Sequence, residues 1–487
     1  MGTTEQHHGA ADVGVAAPLL PSAAVEPAPA APPRRNMFAF VCATLASMTT
    51  ILMGYNLALM SGAELFMRED LGLTDEQVEV LSGSMNLFML ASILAAGWAA
   101  DALGRRGTIV LANAFLMAGA LAMSLGGSYA ALLAARFVTS VGVGFAVVVA
   151  PVYAAEIAPA SSRGLLSSLV DIFITAGILL SYISNYALAG LPPRLGWRVM
   201  FALGVPPPLL LAAGVLAMPE SPRWLAMRGR DAAARAVLER TSDTPGEAHA
   251  RLEEIRRAAA AEVGGAGVWR ELFVTPSPVV RRILANVLVL YSFQQASGVD
   301  AIVLYSPLVF KQAGISSDGA ALAATVGVGV VKTLSVFVAT FQSDRLGRRP
   351  LLLASAAGVA ALLTALGITL LCAGEAKTAA GAAACVASVV AFVTAFSIGV
   401  GPLAPTYGAE ILPLRLRAQG MSLGIAANRL TCGVLSMTFI SLANTITMAG
   451  CFFLYASTAV AAWVFIYVRL PETKGRNLED IGVLFAK

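Results

Sequence analysis

The feature that most limits what this chain can fold into is a series of twelve long apolar stretches. A helix that crosses a bilayer needs about 20 mostly apolar residues. Such stretches lie at 38–62, 79–100, 107–126, 130–155, 165–189, 197–218, 282–310, 320–342, 351–372, 380–407, 418–443 and 450–469. Charged residues make up only 13% of the chain, whereas about a quarter of a soluble globular protein is charged. The sequence therefore predicts an all-α membrane protein with twelve transmembrane helices.

The two halves of the sequence resemble each other in three places. Residues 150–159 (APVYAAEIAP) match 404–413 (APTYGAEILP), and in both an arginine follows the glutamate by seven residues. The pattern D-x-x-G-R-R at 101–106 recurs at 344–349, and the Pro-Glu pair at 219–220 recurs at 471–472. Internal repeats are typical of transporters, whose substrate site lies between the repeats. We therefore predict two six-helix bundles.

Polar segments divide the chain into five predicted parts. They are a disordered cytoplasmic tail at 1–36, a first bundle at 37–218, a cytoplasmic linker with short helices at 219–281, a second bundle at 282–470 and a cytoplasmic tail at 471–487. Most of the 33 Lys and Arg residues fall on one side of the spans. Since cytoplasmic loops are rich in Lys and Arg, we expect both termini in the cytoplasm.

Several kinds of partner are not expected. The net charge of +4 follows from the loop arginines and lysines, so it does not indicate a nucleic-acid partner. The five cysteines lie in apolar spans without the spacing of a metal site. No nucleophile motif or phosphate loop is present, so we expect neither an enzyme nor a cofactor or metal.

Charged residues near the predicted loops repeat between the halves. A carboxylate near a helix end can bond to guanidinium groups, and glycine permits a tight bend there. We predict charge networks that hold the cytoplasmic side shut and separate when it opens. A static cluster that obeys the positive-inside rule is the alternative. The residues concerned are Asp101, Arg105, Arg106, Glu156, Arg163, Asp344, Arg348, Arg349, Glu410 and Arg417.

These motifs make the chain similar to the sugar porters of the major facilitator superfamily, and most of all to plant polyol and monosaccharide transporters. The resemblance covers about 38–485. It implies the two-bundle major facilitator fold, alternating access and, often, proton-coupled uptake of sugars or polyols. Its motifs are 54–56 (GYN), 61–63 (SGA), Gly97 with 101–106 (DALGRR), Arg136 with Gly142 and Gly144, 219–225 (PESPRWL), 294–298 (QQASG), 305–307 (YSP) and 471–475 (PETKG).

The resemblance also implies that Gln294 and Gln295 contact substrate hydroxyls. An amide offers two donors and an acceptor, and a hydroxyl that is stripped of water and left unpaired costs about 1–3 kcal/mol. Hydrogen bonding between helices is the alternative role for the two glutamines. Further substrate-binding candidates are Tyr305 and Asn428, for which packing alone is the alternative, together with Asp300 and Arg429.

Five charged residues interrupt the apolar spans: Arg136, Asp171, Asp300, Lys332 and Arg429. Each costs at least about 2.5–3.5 kcal/mol at a helix centre, so each is a functional candidate. Three bases and two acids predict mutual pairing around an aqueous cavity. A purely structural Asp300–Lys332 pair is one alternative.

Two positions depart from the family pattern. Proton-coupled members usually carry the proton on an aspartate where this chain has Asn56, and an amide cannot titrate. Asp171, with Arg136 as its expected neighbour, is the other proton-coupling candidate, so symport and facilitated uniport both stay open. Pro405 stands where the family generally has a tryptophan beside the sugar, and losing the indole removes a stacking face and a donor.

The sequence thus predicts a secondary carrier of polyols or monosaccharides. Its expected partners are that solute, the lipid bilayer and, in the symport alternative, protons. A monomer is expected to suffice because both halves lie on one chain, and the family suggests the plasma membrane. A non-transporting sugar receptor is a remote alternative, disfavoured by the short tail after the last span.

Overall fold

A computed structural model describes residues 36–159, 163–261, 272, 274, 276–376, 378–413 and 416–473, without side chains at 163–165, 167–168, 258–261, 340–346, 373–376 and 418. The first-half helices are α1 Met37–Leu71, α2 Asp75–Leu125, α3 Tyr129–Ile157, α4 Arg163–Ala187, α5 Pro193–Ala202 and α6 Pro206–Leu216. The linker helices are α7 Pro222–Met227, α8 Asp231–Thr241 and α9 Pro245–Ala261. The second-half helices are α10 Pro278–Ala296, α11 Val299–Leu304, α12 Ser306–Gln312, α13 Asp318–Leu346, α14 Arg348–Ala376, α15 Ala379–Ile398, α16 Val400–Ile411, α17 Arg417–Ile446 and α18 Met448–Arg469.

Some sequence predictions fall outside this description. They are the tail at 1–36 apart from Asn36, the C-terminal tail beyond 473, and the side chains of Arg163 and Asp344.

Eleven helical segments of the described chain are long and apolar enough to cross a membrane. One of them, α2, has 51 residues and would be about 76 Å long as a straight helix, more than twice the roughly 30 Å of a hydrocarbon core. Gly104 interrupts it with φ 84° and ψ 165°, and a Cβ there would overlap the carboxylate of Glu220. Helix α2 therefore contains two spans, which agrees with the twelve predicted crossings.

Three predicted continuous spans are broken, so the sequence prediction is wrong in that detail. The stretch 197–218 becomes α5 and α6, which are separated at residues 203–205. The stretch 282–310 becomes α10, α11 and α12, because Gly298 adopts φ 74° beside the ring of Tyr455. The stretch 380–407 becomes α15 and α16, separated at Gly399. Broken helices expose backbone carbonyls inside the membrane, which transporters use around their substrate sites.

The linker helices lie at the end of the bundle where α1 begins. Asn36, the N-cap of α1, donates its amide to the carbonyls of Arg240 (2.8 Å) and Ser242 (3.0 Å). We call this end the linker face and the opposite end, where α1 stops at Leu71, the distal face. The exposed Arg256 of α9 donates to Asp231 of α8, which ties the two helices together, and to Glu253 within α9. These hydrogen bonds raise the pKa of Arg256.

Candidate functional site

A cavity of about 280 Å³ lies between the two halves of the bundle. Its first-half wall is mainly apolar and comes from α1–α4. Its second-half wall comes from α10, α13, α15, α16 and α17 and carries most of the polar groups. The polar lining residues with described side chains are Asp171, Thr175, Tyr291, Gln294, Gln295, Lys332, Ser397, Asn428 and Arg429. The structure thus brings together Asp171, Lys332, both glutamines, Asn428 and Arg429 from among the sequence candidates.

Three buried amides form a chain of hydrogen bonds on the second-half wall. Asn428 donates to Oε1 of Gln294 at 2.8 Å, and Gln295 donates to Oδ1 of Asn428 at 3.3 Å. Oε1 of Gln295 is buried and has no hydrogen-bond partner among the described residues. An unpaired buried acceptor costs free energy, so a ligand hydroxyl in the cavity would find a favourable position there.

Gln294 has a second bonding partner that explains why proline is tolerated at position 405. In a regular helix the N–H of residue 405 would donate to the carbonyl of Gly401, but proline has no N–H. Nε2 of Gln294 donates to that carbonyl at 2.6 Å. Because its Oε1 is also engaged by Asn428, Gln294 has less capacity left for a ligand than Gln295.

The predicted mutual pairing of intramembrane charges is wrong for Arg136. Its guanidinium donates to the backbone carbonyls of Leu81 (3.2 Å), Asn56 (3.2 Å) and Ser82 (3.5 Å). Carbonyls can accept the hydrogen bonds of a buried guanidinium in place of an acid, because its donors form a fixed fork that reaches several oxygens. Asp171, the expected neighbour of Arg136, faces the cavity instead.

The predicted Asp300–Lys332 pair is looser than a salt bridge. The two groups are near enough for their charges to interact, but no ion pair joins them among the described residues. Oδ2 of Asp300 accepts the thiol of Cys432 at 3.2 Å, whereas Lys332 lies on the cavity wall. Nη1 of Arg429 is 3.5 Å from Oδ1 of Asn86, across the boundary between the halves.

Two other sequence candidates lie off the cavity wall. Tyr305 is fully buried, donates to the carbonyl of Ser436 at 2.8 Å and stacks on Phe439 with ring centroids 5.0 Å apart. Asn56 is buried and donates to the carbonyl of Leu52 at 2.8 Å. Neither residue lines the cavity, so this geometry gives packing roles to both.

Sequence reasoning missed two buried carboxylates, Glu64 and Glu79. Glu64 accepts the hydroxyl of Ser82 at 3.4 Å. Glu79 accepts the backbone N–H of Ser441 at 2.8 Å and also the Ser441 hydroxyl. The predicted stretch 38–62 excludes Glu64, and the predicted stretch 79–100 begins at Glu79. The capping box of Thr74 and Gln77 marks an earlier helix start, which puts Glu79 inside α2.

Bonds between the halves close the distal side of the cavity. Glu79 of α2 holds Ser441 of α17, and Asn444 donates to Asp75 at 3.1 Å closer to the distal face. The hydroxyl of Tyr182 in α4 donates to the carbonyl of Val303 in α11 at 2.9 Å. The first and second halves are therefore latched together on this side.

At the linker face, the first half carries a compact ion cluster formed by Arg105, Glu156 and Glu220, which we call the first-half cluster. Arg105 donates through Nε to Glu156 at 3.1 Å and through its backbone N–H to Glu220 at 3.0 Å. Ser221 donates its hydroxyl to Glu156 at 2.5 Å. Asp101 pairs with Arg105 at 3.2 Å, although its side chain is 67% exposed. The backbone N–H of Arg106 also donates to Glu220, at 3.1 Å.

The second-half cluster, formed by Arg348, Glu410 and Glu472, repeats four of these five bonds. The counterpart of Asp101 is Asp344, whose side chain is not described. Arg348 donates through Nε to Glu410 at 3.0 Å and through its backbone N–H to Glu472 at 3.1 Å. Thr473 donates to Glu410 at 2.6 Å, as Ser221 does to Glu156. The backbone N–H of Arg349 donates to Glu472 at 3.0 Å.

Each described cluster bond joins residues of one half or its adjoining segment. Arg417, the remaining described member of the predicted networks, donates to the carbonyl of Leu412 at 3.4 Å. The predicted gating role is therefore not carried by a direct bond across the halves among the described residues, and it stays a prediction.

A second, larger cavity of about 490 Å³ is unsuited to a polyol. It lies between α1, α4, α5 and α6, and its walls are almost entirely aliphatic. Leu180, Leu203 and Leu210 on its rim are at least half exposed, as expected of side chains that face lipid. The smaller, polar cavity between the halves is the candidate solute site.

Comparison with known proteins agrees with this architecture. A family model described as "Sugar (and other) transporter" matches residues 42–485. Polyol transporter 5 of Arabidopsis thaliana is 49% identical over 474 residues, which cover 94% of this chain and 88% of that protein. Glucose transporter GlcP of Staphylococcus epidermidis is 34% identical over 439 residues, which cover 90% and 95%.

Solved structures show the same fold. The partially occluded, inward-open xylose transporter XylE from E. coli superposes with a TM-score of 0.78 at 25% identity, covering 91% of this chain and 100% of that one. The proton:xylose symporter XylE bound to 6-bromo-6-deoxy-D-glucose gives a TM-score of 0.76 at 25% identity, covering 92% and 99%.

The resemblance inferred from the motifs is therefore confirmed. The similar proteins are transporters and not enzymes, as the sequence predicted, and the twelve-helix major facilitator fold is confirmed as well. The chain is an integral, multi-pass membrane protein that belongs to the Sugar (and other) transporter family.

Proposed function

We propose that the protein carries polyols or monosaccharides across the plasma membrane by alternating access, with the linker face in the cytoplasm. The observation that carries this proposal is the polar cavity between the halves, with the unpaired Oε1 of Gln295 in its wall. The relatives named polyol transporters, nearly half identical to this chain over most of its length, support a polyol as the solute.

The arrangement fits a state that opens toward the linker face. The described bonds between Glu79 and Ser441 and between Asp75 and Asn444 latch the halves on the distal side. The likeness to an inward-open carrier structure supports the same assignment. A single chain supplies both cavity walls, so a monomer suffices in this proposal.

Two coupling modes follow from different residues. Asp171 favours proton symport, because its side chain is exposed to the cavity and makes no described hydrogen bond or ion pair. The likeness to a structure named a proton:xylose symporter supports that mode. Asn56 favours uniport, because its amide cannot titrate and is held by the carbonyl of Leu52.

Uptake by purified protein in liposomes tests both function and coupling. Labelled sorbitol, mannitol, xylitol, inositol and glucose are compared with and without an inward proton gradient, in wild type and in Asp171→Asn. Saturable uptake of at least one solute is expected, and its absence for all five would refute the proposal. Gradient-driven accumulation lost in Asp171→Asn establishes symport, whereas equilibration indifferent to the gradient establishes uniport.

A further inference from the structure

We propose that Glu64 binds a proton when the distal side is closed, and that this proton completes a chain of hydrogen bonds between the two halves. The inference concerns a site apart from the solute, because Glu64 does not line the cavity. It rests on the proposed function only in requiring that the distal side opens and closes. The ligand is a single proton.

The two buried carboxylates on the distal side are held differently. Glu79 accepts two hydrogen bonds from Ser441, one from the backbone N–H at 2.8 Å and one from the hydroxyl. Glu64 accepts one, from the hydroxyl of Ser82 at 3.4 Å. A hydroxyl bonded to an ionised carboxylate usually lies nearer, at about 2.5–2.7 Å. An ionised carboxylate inside a membrane is costly without close partners, and a proton on Glu64 removes that cost.

The bases near Glu64 are engaged elsewhere, so a proton there disrupts no ion pair among the described residues. Arg68, one helical turn further along α1, pairs with Asp75 at 2.6 Å. Arg136 of α3 donates to backbone carbonyls, including that of Ser82. The other titratable groups on the surrounding elements are Glu79 of α2, Tyr182 of α4, Arg198 of α5 with its partner Asp70, Tyr305 between α11 and α12, Lys311 of α12 with its partner Asp318, and Tyr455 of α18.

The hydroxyl of Ser82 links Glu64 to the second half. It lies within hydrogen-bonding reach of the phenol oxygen of Tyr305. That hydroxyl of Tyr305 donates to the carbonyl of Ser436 at 2.8 Å, so it can only accept from Ser82. Because Ser82 and Tyr305 belong to different halves, this contact requires the distal side to be closed.

The number of available hydrogens decides which form of Glu64 suits the closed state. A serine hydroxyl has one hydrogen to donate, and it can also accept. If Glu64 is ionised, Ser82 donates to the carboxylate and the oxygen of Tyr305 loses that donor. If Glu64 is protonated, it donates to Ser82, and Ser82 then donates to Tyr305. The protonated form therefore makes one more hydrogen bond between the halves than the ionised form.

Proton binding and closure of the distal side are linked for this reason. A proton that is held more tightly in the closed state favours that state as the pH falls, and the distal side opens as the pH rises. The reporter for opening is a cysteine introduced at the partly buried Ala443, next to Asn444 on α17, in a background in which the five native cysteines are replaced. Its rate of reaction with a membrane-impermeant maleimide is measured in lipid nanodiscs without solute, where both faces meet the same pH.

The test compares this rate in the reporter protein and in its Glu64→Gln variant. Glutamine has nearly the shape of a protonated glutamate, can donate to Ser82 and does not titrate. The ratio of the two rates removes the pH dependence of the thiol itself. We expect equal rates at mildly acidic pH and, at mildly alkaline pH, a rate about fivefold higher with Glu64 than with glutamine, as one hydrogen bond would give. A ratio that is constant with pH would overturn the inference.

Glu79→Gln is the matched control, since it removes the other buried acid of the distal side. The rate should keep its dependence on Glu64 and pH in this variant. If the pH dependence were lost in Glu79→Gln and kept in Glu64→Gln, the proton would belong to Glu79 and the inference would be wrong.

Tyr305→Phe tests the chain itself. It keeps the ring that stacks on Phe439 but removes the hydroxyl between Ser82 and Ser436. The ratio between the proteins with and without Glu64 should then change little with pH. A purely structural role for Tyr305 would raise the rate by one factor at every pH and leave the pH dependence intact, which would overturn the chain.

The outcomes for function and for inference are separable. If liposomes show no uptake of any polyol or monosaccharide while the labelling rate still follows Glu64 and pH, the proposed function fails and the inference stands. If uptake is observed and the ratio of rates is constant with pH, only the inference fails.

Discussion

The linker-face clusters and the cavity walls differ in how far the two halves agree. In the clusters, the bonds of Arg105 to Glu156 and of Arg348 to Glu410 are nearly identical in geometry. In the cavity, the second half supplies the amide chain, whereas the first half supplies mainly aliphatic side chains and Asp171. The two halves are therefore alike at the linker-face clusters, which stabilise the fold, and differ at the cavity walls, where the proposed solute would bind.

Under the proposed function, this difference would let an almost symmetric scaffold hold an asymmetric solute. The clusters fix the short turns between spans in each half, which any solute requires equally. The hydroxyl groups of a solute need hydrogen-bond donors and acceptors at particular positions. Because one wall carries most of these donors and acceptors, substitutions in that wall can change them without changing the scaffold.

The largest effect is expected from breaking either cluster. Removing one partner of a buried ion pair leaves the other charge unpaired and costs about 3–5 kcal/mol. The side chains of Arg105 and Glu156 are 9% and 10% exposed. Those of Arg348 and Glu410 are 16% and 19% exposed. Arg105→Ala and Arg348→Ala should both abolish most transport and lower the thermal midpoint in detergent, with Arg105→Ala the more severe.

The exposed Asp101 is the control for that comparison. It contacts the same guanidinium but is 67% exposed, so Asp101→Ala should lower the midpoint far less than Arg105→Ala. If only one of the two arginine substitutions lowered transport and the thermal midpoint, the prediction that both clusters contribute would be contradicted.

The next largest effect sharpens the asymmetry within the amide wall. Gln294→Ala leaves the carbonyl of Gly401 without a donor, which costs about 1–3 kcal/mol of folding stability. The substitution should therefore lower the thermal midpoint or raise the KM of transport. Pro405→Ala restores a backbone N–H for that carbonyl. The double variant should therefore recover stability relative to Gln294→Ala, as measured by thermal unfolding.

Gln295→Ala is the matched comparison for this rescue. It removes an amide from the same wall, but its described bond goes to Asn428 and not to Gly401. Pro405→Ala should give it no recovery. Equal recovery of both glutamine variants would show that Pro405→Ala stabilises α16 generally.

A smaller effect is expected at the distal latch. Ser441→Ala removes one of the two donors to Glu79 and should weaken the closed distal side by about 1 kcal/mol, roughly a fivefold change in the population of the open state. A cysteine introduced at the partly buried Ala443, next to Asn444 on α17, should then react faster with a membrane-impermeant thiol reagent applied from the distal side, in a background in which the five native cysteines are replaced. An unchanged rate relative to the single-cysteine parent would contradict the latch.

The smallest effect is expected in the linker. Arg235 and Glu239 are paired at 2.9 Å on α8, but their side chains are 65% and 52% exposed. Such pairs contribute about 0.3–0.5 kcal/mol. Arg235→Ala should leave transport unchanged and shift the thermal midpoint by a degree or less. A loss of transport would mean that the linker takes part in the carrier cycle.

Much of the fold was predictable because it depends on periodic features of the sequence. Apolar length predicted the twelve crossings, and the repeated D-x-x-G-R-R and Glu motifs predicted the arginines and one glutamate of each cluster. The second glutamate of each cluster, Glu220 or Glu472, was not among the predicted members. The breaks at Gly298 and Gly399 were missed, since a run of apolar residues does not reveal which glycine takes a non-helical conformation.

The candidate site was predictable only in part. The glutamines and Asn428 do lie together on the cavity wall, but the use of Gln294 by the Gly401 carbonyl depends on how α10 packs against α16. The intramembrane charges were expected to pair with each other, and Arg136 instead binds backbone carbonyls, which carry no sequence signal.

Calorimetric titration of the purified protein with sorbitol and the other candidate solutes tests the central claim most directly. Wild type should bind at least one polyol saturably, and Gln295→Ala should bind it about tenfold more weakly because the free acceptor is lost. Asn113→Ala is the matched control, since Asn113 also has a buried amide oxygen without a hydrogen-bond partner in the described part of the chain, but does not line the cavity. Equal weakening by both substitutions, or no binding to wild type, would contradict a solute site on the second-half wall.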